Sequence, residues 1–575
     1  MLGLPDTSPA AEPRSDHEMG TDMTTANVPP RDDRSVTFYP DLDEALLKRF
    51  VAALETGDTD GLAPRRAEAA EAARGLFRWV RVPGDDNGGV ELDAGLWKHP
   101  AGEPRPLIVM PSPWGDIGWL MYAIQATGFA QEGYNVLAYT ARGFALSGGK
   151  VEVAGCEDIA DGRRALSYLI DQSGGEFTKA GFLGVSYGSG ISQLVAAHDE
   201  RVSAVVAMST WGDLREAFYE NSTRHIAAVN ALRNAPKTAR FSERTEKAFA
   251  DVLADENTNE TLEWARERSP LTYVERLNNR CDPVPVYFAH TWHETLFPPN
   301  QTLKMFNALR EPKRMALSIG DHGSPEISGL LGLPNRIWAE AHRWFAHHLK
   351  EDDNGIDTKG QVTGQLMWNN YLDDADTWDA FTGRCEPLYL TGAAEGTDDG
   401  TLTDKPVTGW NLTFQAGADT PATVADGIMK TGGTEVTGFP KEYPTGEISR
   451  ADAGVWTSAP MTAAATLRGI PRLQLTYTAS FAKATIVAYL FDVDDTGTAN
   501  IITHAPYTNL DAEPGQPVNA EIPLQATGYT VRAGHRMMLV LDTKDPFYGD
   551  ANKPGGTITV TSPDDTPAHL AIPLA

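Results

Sequence analysis

Cysteine is nearly absent: Cys156, Cys281 and Cys385 are the only ones in 575 residues, and no C-x-x-C pair occurs. That excludes a disulfide-stapled scaffold and a thiolate zinc site, and it fits a reducing, cytoplasmic compartment. Basic residues are also in deficit, with Lys and Arg numbering 49 against 78 Asp and Glu, for a formal net charge of −29. A field of that sign repels a phosphate backbone or an anionic leaflet, so neither nucleic acid nor membrane is an expected partner. No segment approaches about eighteen uninterrupted apolar residues, so no membrane-spanning helix is expected. The first 36 residues, rich in Pro, Asp, Thr and Ala, lack the apolar centre of a signal peptide and read as a disordered tail. Solenoid or propeller repeats are missing as well.

What is present is the composition of a soluble globular chain with a sizeable core, 41% hydrophobic and 22% charged, organised as two principal domains. Over 37–76 an Ala- and Leu-rich stretch broken by Gly and Asp reads as an N-terminal helical appendage. "FRWVRVPG" and "VELDAGLWKHP", separated by "DDNGG", read as a hairpin. From there to about residue 350, short apolar runs alternate with helical patterns ("PLIVMPSP", "YNVLAYTAR", "AGFLGVS", "VSAVVAMST", "VPVYFAHTW"), the rhythm of a parallel sheet covered on both faces. The rhythm lapses over about 211–280 into charged, helix-favouring sequence, a helical cap. "EDDNGIDTKG" opens a linker over 351–364. From 365 to 575 β-rich runs between Gly, Pro and Asp turns predict a β-sandwich of jelly-roll type.

"GFLGVSYGSGISQLVAAH" carries Gly184-Val-Ser186-Tyr-Gly188 between an apolar strand and a helix. A lone G-x-S-x-G is weak, but in this setting it reads as the nucleophile elbow of an α/β-hydrolase fold. A serine hydroxyl needs a base, and the base needs a carboxylate to fix its tautomer, in the chain order Ser, acid, His. His322, just past the late strand "RMALSIGD", is the expected base. Glu294, after "VPVYFAHTW", is the expected acid. Asp282 lies at the wrong strand end, and Asp321 is so close to His322 that its side chain should diverge. His290 and His293 lack a third ligand, so no metal is expected, and no cofactor either. The backbone N–H of Tyr187 is the natural first oxyanion donor, with Trp114 or its neighbours offering a second through indole or backbone. Trp211, Phe218 and Tyr219, at the start of the cap, are expected to line an apolar substrate pocket.

Together "GVSYG", "ARGFALSGG", "AHTWHETLFPPNQTL" and "HRWFAHHLKEDDNGI" resemble the CocE/NonD hydrolases, which include cocaine-esterase-like enzymes and X-Pro dipeptidyl-peptidases. "QLMWNNYLDDADTW", "TSAPMTAAA" and "YTVRAGHRMMLVL" extend the resemblance from about Phe77 to Ala575. It implies that Ser186 is the nucleophile and His322 the base. It also implies that "TWHE" replaces the family's Trp-Tyr-Asp, and that Ser112-Pro113-Trp114 replaces an Asn-Pro-Tyr whose tyrosine helps to bind the oxyanion.

The expected function is a serine hydrolase acting on a small-molecule ester, amide or peptide through an acyl-enzyme. One alternative is an X-Pro dipeptidyl-peptidase or aminoacyl-ester hydrolase in which cap acids such as Glu216 and Glu220 hold a free amine. Another is a weakly hydrolytic binding or biosynthetic scaffold. Self-association, as a homo-oligomer, is left open.

Overall fold

Alternating apolar residues at 77–83 and 91–97 pair antiparallel, Phe77 opposite Trp97, as strands β1 (Phe77–Pro83) and β2 (Glu91–Trp97). The computed structural model describes residues 44–84, 89–369 and 371–575. The tail expected over 1–36 and the turn residues 85–88 lie outside the described residues. Ahead of β1 stand α1 (Glu44–Thr56) and α2 (Pro64–Ala73). They are not an appendage: Phe50, Leu54 and Ala70 share one buried cluster with Trp97, Trp119 and Phe129.

The uninterrupted apolar runs become β3 (Leu107–Pro111), β4 (Asn135–Tyr139), β5 (Ala180–Val185) and β6 (Val202–Met208), separated by α3 (Ala123–Gln131), α4 (Cys156–Gln172) and α5 (Tyr187–His198). Alternate residues feed two cores: Leu107, Val109 and Phe182 lie in one cluster, Ile108, Met110 and Leu183 in the other. With a layer on each face these strands have no solvent side to make polar, which is why their sequences do not alternate.

After β6 the chain leaves the sheet for α6 (Leu214–Phe218), a short ribbon of β7 (Tyr219–Glu220) and β8 (Thr223–Arg224), then α7 (Ile226–Asn234), α8 (Glu243–Ala254), α9 (Thr258–Arg266) and α10 (Val274–Asn278). It returns through β9 (Val286–Thr291), α11 (Pro299–Ala308), β10 (Lys313–Ser318), α12 (Ile327–Leu330) and α13 (Arg336–Lys350). No described helix is long and apolar enough to cross a membrane.

The sheet does not end at β10. β11 (Val362–Gln365) adds to it in parallel and β12 (Leu372–Ala375) antiparallel, giving the order β1-β2-β4-β3-β5-β6-β9-β10-β11-β12. Residues 362–375, read from sequence as linker and sandwich, therefore belong to the first sheet. Both strands are short, and β12 is half polar because it is an edge.

The rest of the chain is an all-β module. Its strand Ala484–Val493 is buried throughout and pairs antiparallel with Thr498–Asn509 and Arg536–Asp542. Ile486, Ala488 and Leu490 face the module's own core, while Val487, Tyr489 and Phe491 join the cluster that continues into the hydrolase sheet. The module is thus docked through one face of a strand that is apolar on both.

Candidate active site

β5 stops where Ser186 adopts φ 55° and ψ −121°, a backbone that neither strand nor helix continues, and α5 begins at the next residue. The Ser186 N–H donates to the Met208 carbonyl at the end of β6 (2.8 Å), which holds the turn. A Cβ on Gly184 would lie 2.0 Å from the Gly188 carbonyl carbon, and one on Gly188 2.0 Å from the Pro111 carbonyl oxygen. Strand, turn and helix approach this closely only because both positions lack a side chain. The result is a serine in a strained conformation, costing on the order of 1–3 kcal/mol, at the C-terminal edge of the sheet.

The loops after β9 and β10 reach the same edge. His322 Nε2 stands 2.8 Å from Ser186 Oγ, and its Nδ1 2.8 Å from Glu294 Oε1. Because the carboxylate takes the Nδ1–H, Nε2 is left to accept the serine hydroxyl proton. Burial pulls the imidazole down, but the Glu294 charge and hydrogen bond, with Asp321 behind them, more than offset it and leave His322 above its ordinary value. Glu294 answers in the opposite sense: burial raises it, and the His322 partner carries it below the usual range. Its Oε1 also accepts from the N–H groups of Leu296 (3.2 Å) and Phe297 (3.3 Å).

Asp321 does diverge from the ring. Its carboxylate accepts from the N–H of Thr295 (2.7 Å), the Thr295 hydroxyl (2.8 Å) and the N–H of His322 (2.6 Å), tying the two loops together. Burial and then the Glu294 charge push it up to about 7. Ser209 Oγ accepts from the N–H of Gly323 (2.9 Å) and donates to Glu326 Oε1 (3.0 Å). Glu326 is a buried carboxyl raised to about 7, chiefly by burial. Nothing in "GDHGSPE" marks Glu326 as buried, since an acid in a polar loop is ordinarily solvated.

A narrow cavity opens on Ser186, walled by Trp114, Met121, Ala231, Leu232, Leu296 and Ile327 among others. Its contents correct several expectations. The Trp114 indole cannot serve an oxyanion, because its Nε1–H donates to the Leu232 carbonyl of α7 (2.9 Å); Trp114 is a wall of the cavity. Trp211 donates its indole N–H to the Arg268 carbonyl (2.8 Å) and packs against α5 at Gly190. Phe218 stacks on Trp264, fully buried. Tyr219 lines a separate open cleft with Asp213, Arg215, Arg224 and Asp550. None of the three lines the cavity at Ser186; their size is used to seat the cap.

The acids weighed for amine binding are also elsewhere. Glu216 pairs with Lys304 and borders that separate cleft. Glu220 is buried, accepts from Gln525 (2.8 Å) and is raised by burial to about 8. The two histidines that precede the acid do not converge. His290 Nε2 meets the Phe297 carbonyl (3.0 Å), while His293 is turned toward Glu435 and the Ile502 carbonyl. The Tyr187 side chain points away from the cavity, donating to Asp158 (2.9 Å) and accepting from the N–H of Ala154 (3.0 Å).

Residues 88–324 match the family model of the X-Pro dipeptidyl-peptidase (S15 family), and residues 354–572 that of the X-Pro dipeptidyl-peptidase C-terminal non-catalytic domain. No curated protein matches the chain. Among solved structures, it is similar to a CocE/NonD family hydrolase from Staphylococcus aureus, at 12% identity and TM-score 0.65 over 87% of this chain and 93% of that one. It is also similar to an aminopeptidase from the marine sediment archaeon Thaumarchaeota archaeon, at 14% identity and TM-score 0.64 over 87% and 96%. An α-amino acid ester hydrolase follows at 16% identity and TM-score 0.61, again over 87% and 96%. Identities this low speak to the fold. The two family models, in order and spanning most of the chain, speak to descent: this chain belongs to the X-Pro dipeptidyl-peptidase-like (S15) family of serine hydrolases.

Proposed function

We propose that the protein hydrolyses a carboxylic ester with an apolar acyl group through a Ser186-His322-Glu294 triad. The observation that carries this reading is the unbroken line of hydrogen bonds, 2.8 Å and 2.8 Å, from the elbow serine through the imidazole to the carboxylate. Ser186 Oγ attacks the acyl carbon as its proton passes to His322 Nε2, and the imidazolium is stabilised by Glu294. The tetrahedral oxyanion forms beside the start of α5, where the first N–H groups have no carbonyl one turn back to take them. The Tyr187 N–H is the first donor, and the backbone around Trp114 supplies the second. Collapse expels the alkoxide, which takes the proton from His322. Water then attacks the acyl carbon, its proton passing to His322, and collapse releases the acid as His322 returns that proton to Ser186 Oγ.

An ester is favoured over an X-Pro peptide by the cavity wall. Among the described residues that line it none is a carboxylate, so a substrate's free amine has no counter-charge there. The test is labelling with a fluorophosphonate probe, followed by turnover of p-nitrophenyl esters and of an X-Pro anilide in the wild type and in Ser186→Ala. Labelling at Ser186 and ester turnover, lowered in Ser186→Ala by about 10⁵- to 10⁶-fold, is the expected result. Anilide cleavage in preference to ester would move the assignment to the peptidase, and an unlabelled Ser186 would leave a scaffold.

A further inference from the structure

His293 and Thr295, the neighbours of Glu294 on either side, are both fastened to the β module. His293 Nδ1 lies 2.6 Å from Glu435 Oε1 and its Nε2 3.1 Å from the Ile502 carbonyl. Both partners accept, so both ring nitrogens must donate, and the ring is an imidazolium whose charge Glu435 meets. On the other side, the Met429 N–H donates to Thr295 Oγ1 (3.0 Å), that hydroxyl donates to Asp321 (2.8 Å), and Asp321 accepts the His322 N–H (2.6 Å). Glu435 is buried on the short helix Gly432–Val436, and Ile502 sits on the strand Thr498–Asn509.

We propose that His293 and Glu435 are a positioning pair through which the β module holds Glu294 in line with His322. This makes the C-terminal module part of the catalytic geometry, and it rests on the triad reading above. A loop gripped on one side only would let Glu294 swing, and a carboxylate displaced by about 1 Å no longer aligns the imidazole with the serine. The groups facing His293 are Glu435, the Ile502 carbonyl, Asp321 and, on the Ile502 strand, His504. Burial lowers His293, but the Glu435 charge and hydrogen bond outweigh it and bring the ring to about 9. The pair is therefore intact at neutral pH and comes apart as pH rises through about 9.

The test compares full-length Glu435→Gln, Glu435→Asp and Asn300→Ala with the wild type. Asn300 joins the same two modules, through the Leu524 carbonyl (2.9 Å) and the Ala526 N–H (2.8 Å), without touching the acid loop. For Glu435→Gln, kcat on a p-nitrophenyl ester should fall roughly ten- to a hundredfold with KM nearly unchanged. The alkaline limb of the profile should move to lower pH, since removing the carboxylate charge lowers His293. Glu435→Asp should recover part of the loss, and Asn300→Ala should keep the wild-type kcat. The downfield proton resonance of the His322 Nδ1–H···Glu294 bond should shift in Glu435→Gln. An unchanged kcat and resonance in Glu435→Gln, or an equal loss in Asn300→Ala, overturns the proposal. A wild type that neither labels at Ser186 nor cleaves esters overturns the triad reading instead, while the resonance still reports on the pair.

Discussion

Glu294 is one methylene longer than the aspartate that the family resemblance implies, and the backbone accommodates the difference. The N–H groups of Leu296 and Phe297 meet the same oxygen that accepts the His322 Nδ1–H, so the longer side chain is fixed from both sides. Glu294→Gln should lower kcat by about 10⁴-fold, as expected for an imidazole held in the wrong tautomer. The accompanying pH effect has a definite sign. The proposed triad needs neutral His322, whose value is raised above the ordinary one by Glu294, so wild-type kcat/KM should fall with acid already above about pH 6.5. With the charge gone the imidazole drops, and the acidic limb of the residual Glu294→Gln activity should move to lower pH, as read by kcat/KM from pH 5 to 9. Ser186, Glu294 and His322 were all legible in the sequence because each sits at a strand end that its apolar run announces. Glu326, Asp321 and the His293–Glu435 contact were not, since burial of a polar loop residue depends on partners remote along the chain.

At the level of elements, the elbow depends on two missing side chains. Gly188→Ala would drive a methyl against the Pro111 carbonyl in β3, and neither β3 nor α5 can yield without disturbing the turn at Ser186. A loss of about 3 kcal/mol or more is expected, with loss of fluorophosphonate labelling, checked by urea unfolding beside the labelling rate. The parallel strands were legible from their unbroken apolar runs, and the cap from the lapse of that rhythm. β11 and β12 were not: strands of four residues with polar edges carry too little pattern to be told from a linker. The cap aromatics were misplaced for a related reason. Sequence order puts Trp211, Phe218 and Tyr219 next to the sheet edge, but only packing decides that two of them face the helices and the third a different cleft.

The molecule as a whole is less divisible than its sequence implies. A chain ending at Lys350 would lose β11 and β12, baring the edge of β10, and would expose the face that Val487, Tyr489 and Phe491 cover. Such a chain is expected to aggregate on expression, measured as the soluble fraction, where the full chain with its net charge of −29 stays dispersed. The helical cap closes on the cavity at Ser186, and its closure is chemical as well as steric: Trp114, a wall of that cavity, is fastened through its indole to α7. On the proposed function, admission of an acyl group wider than the gap requires that latch to release, and the liberated acid waits for it again. For bulky substrates of the proposed ester hydrolysis the pace should then be set by traffic through the latch, indifferent to how readily the alcohol departs.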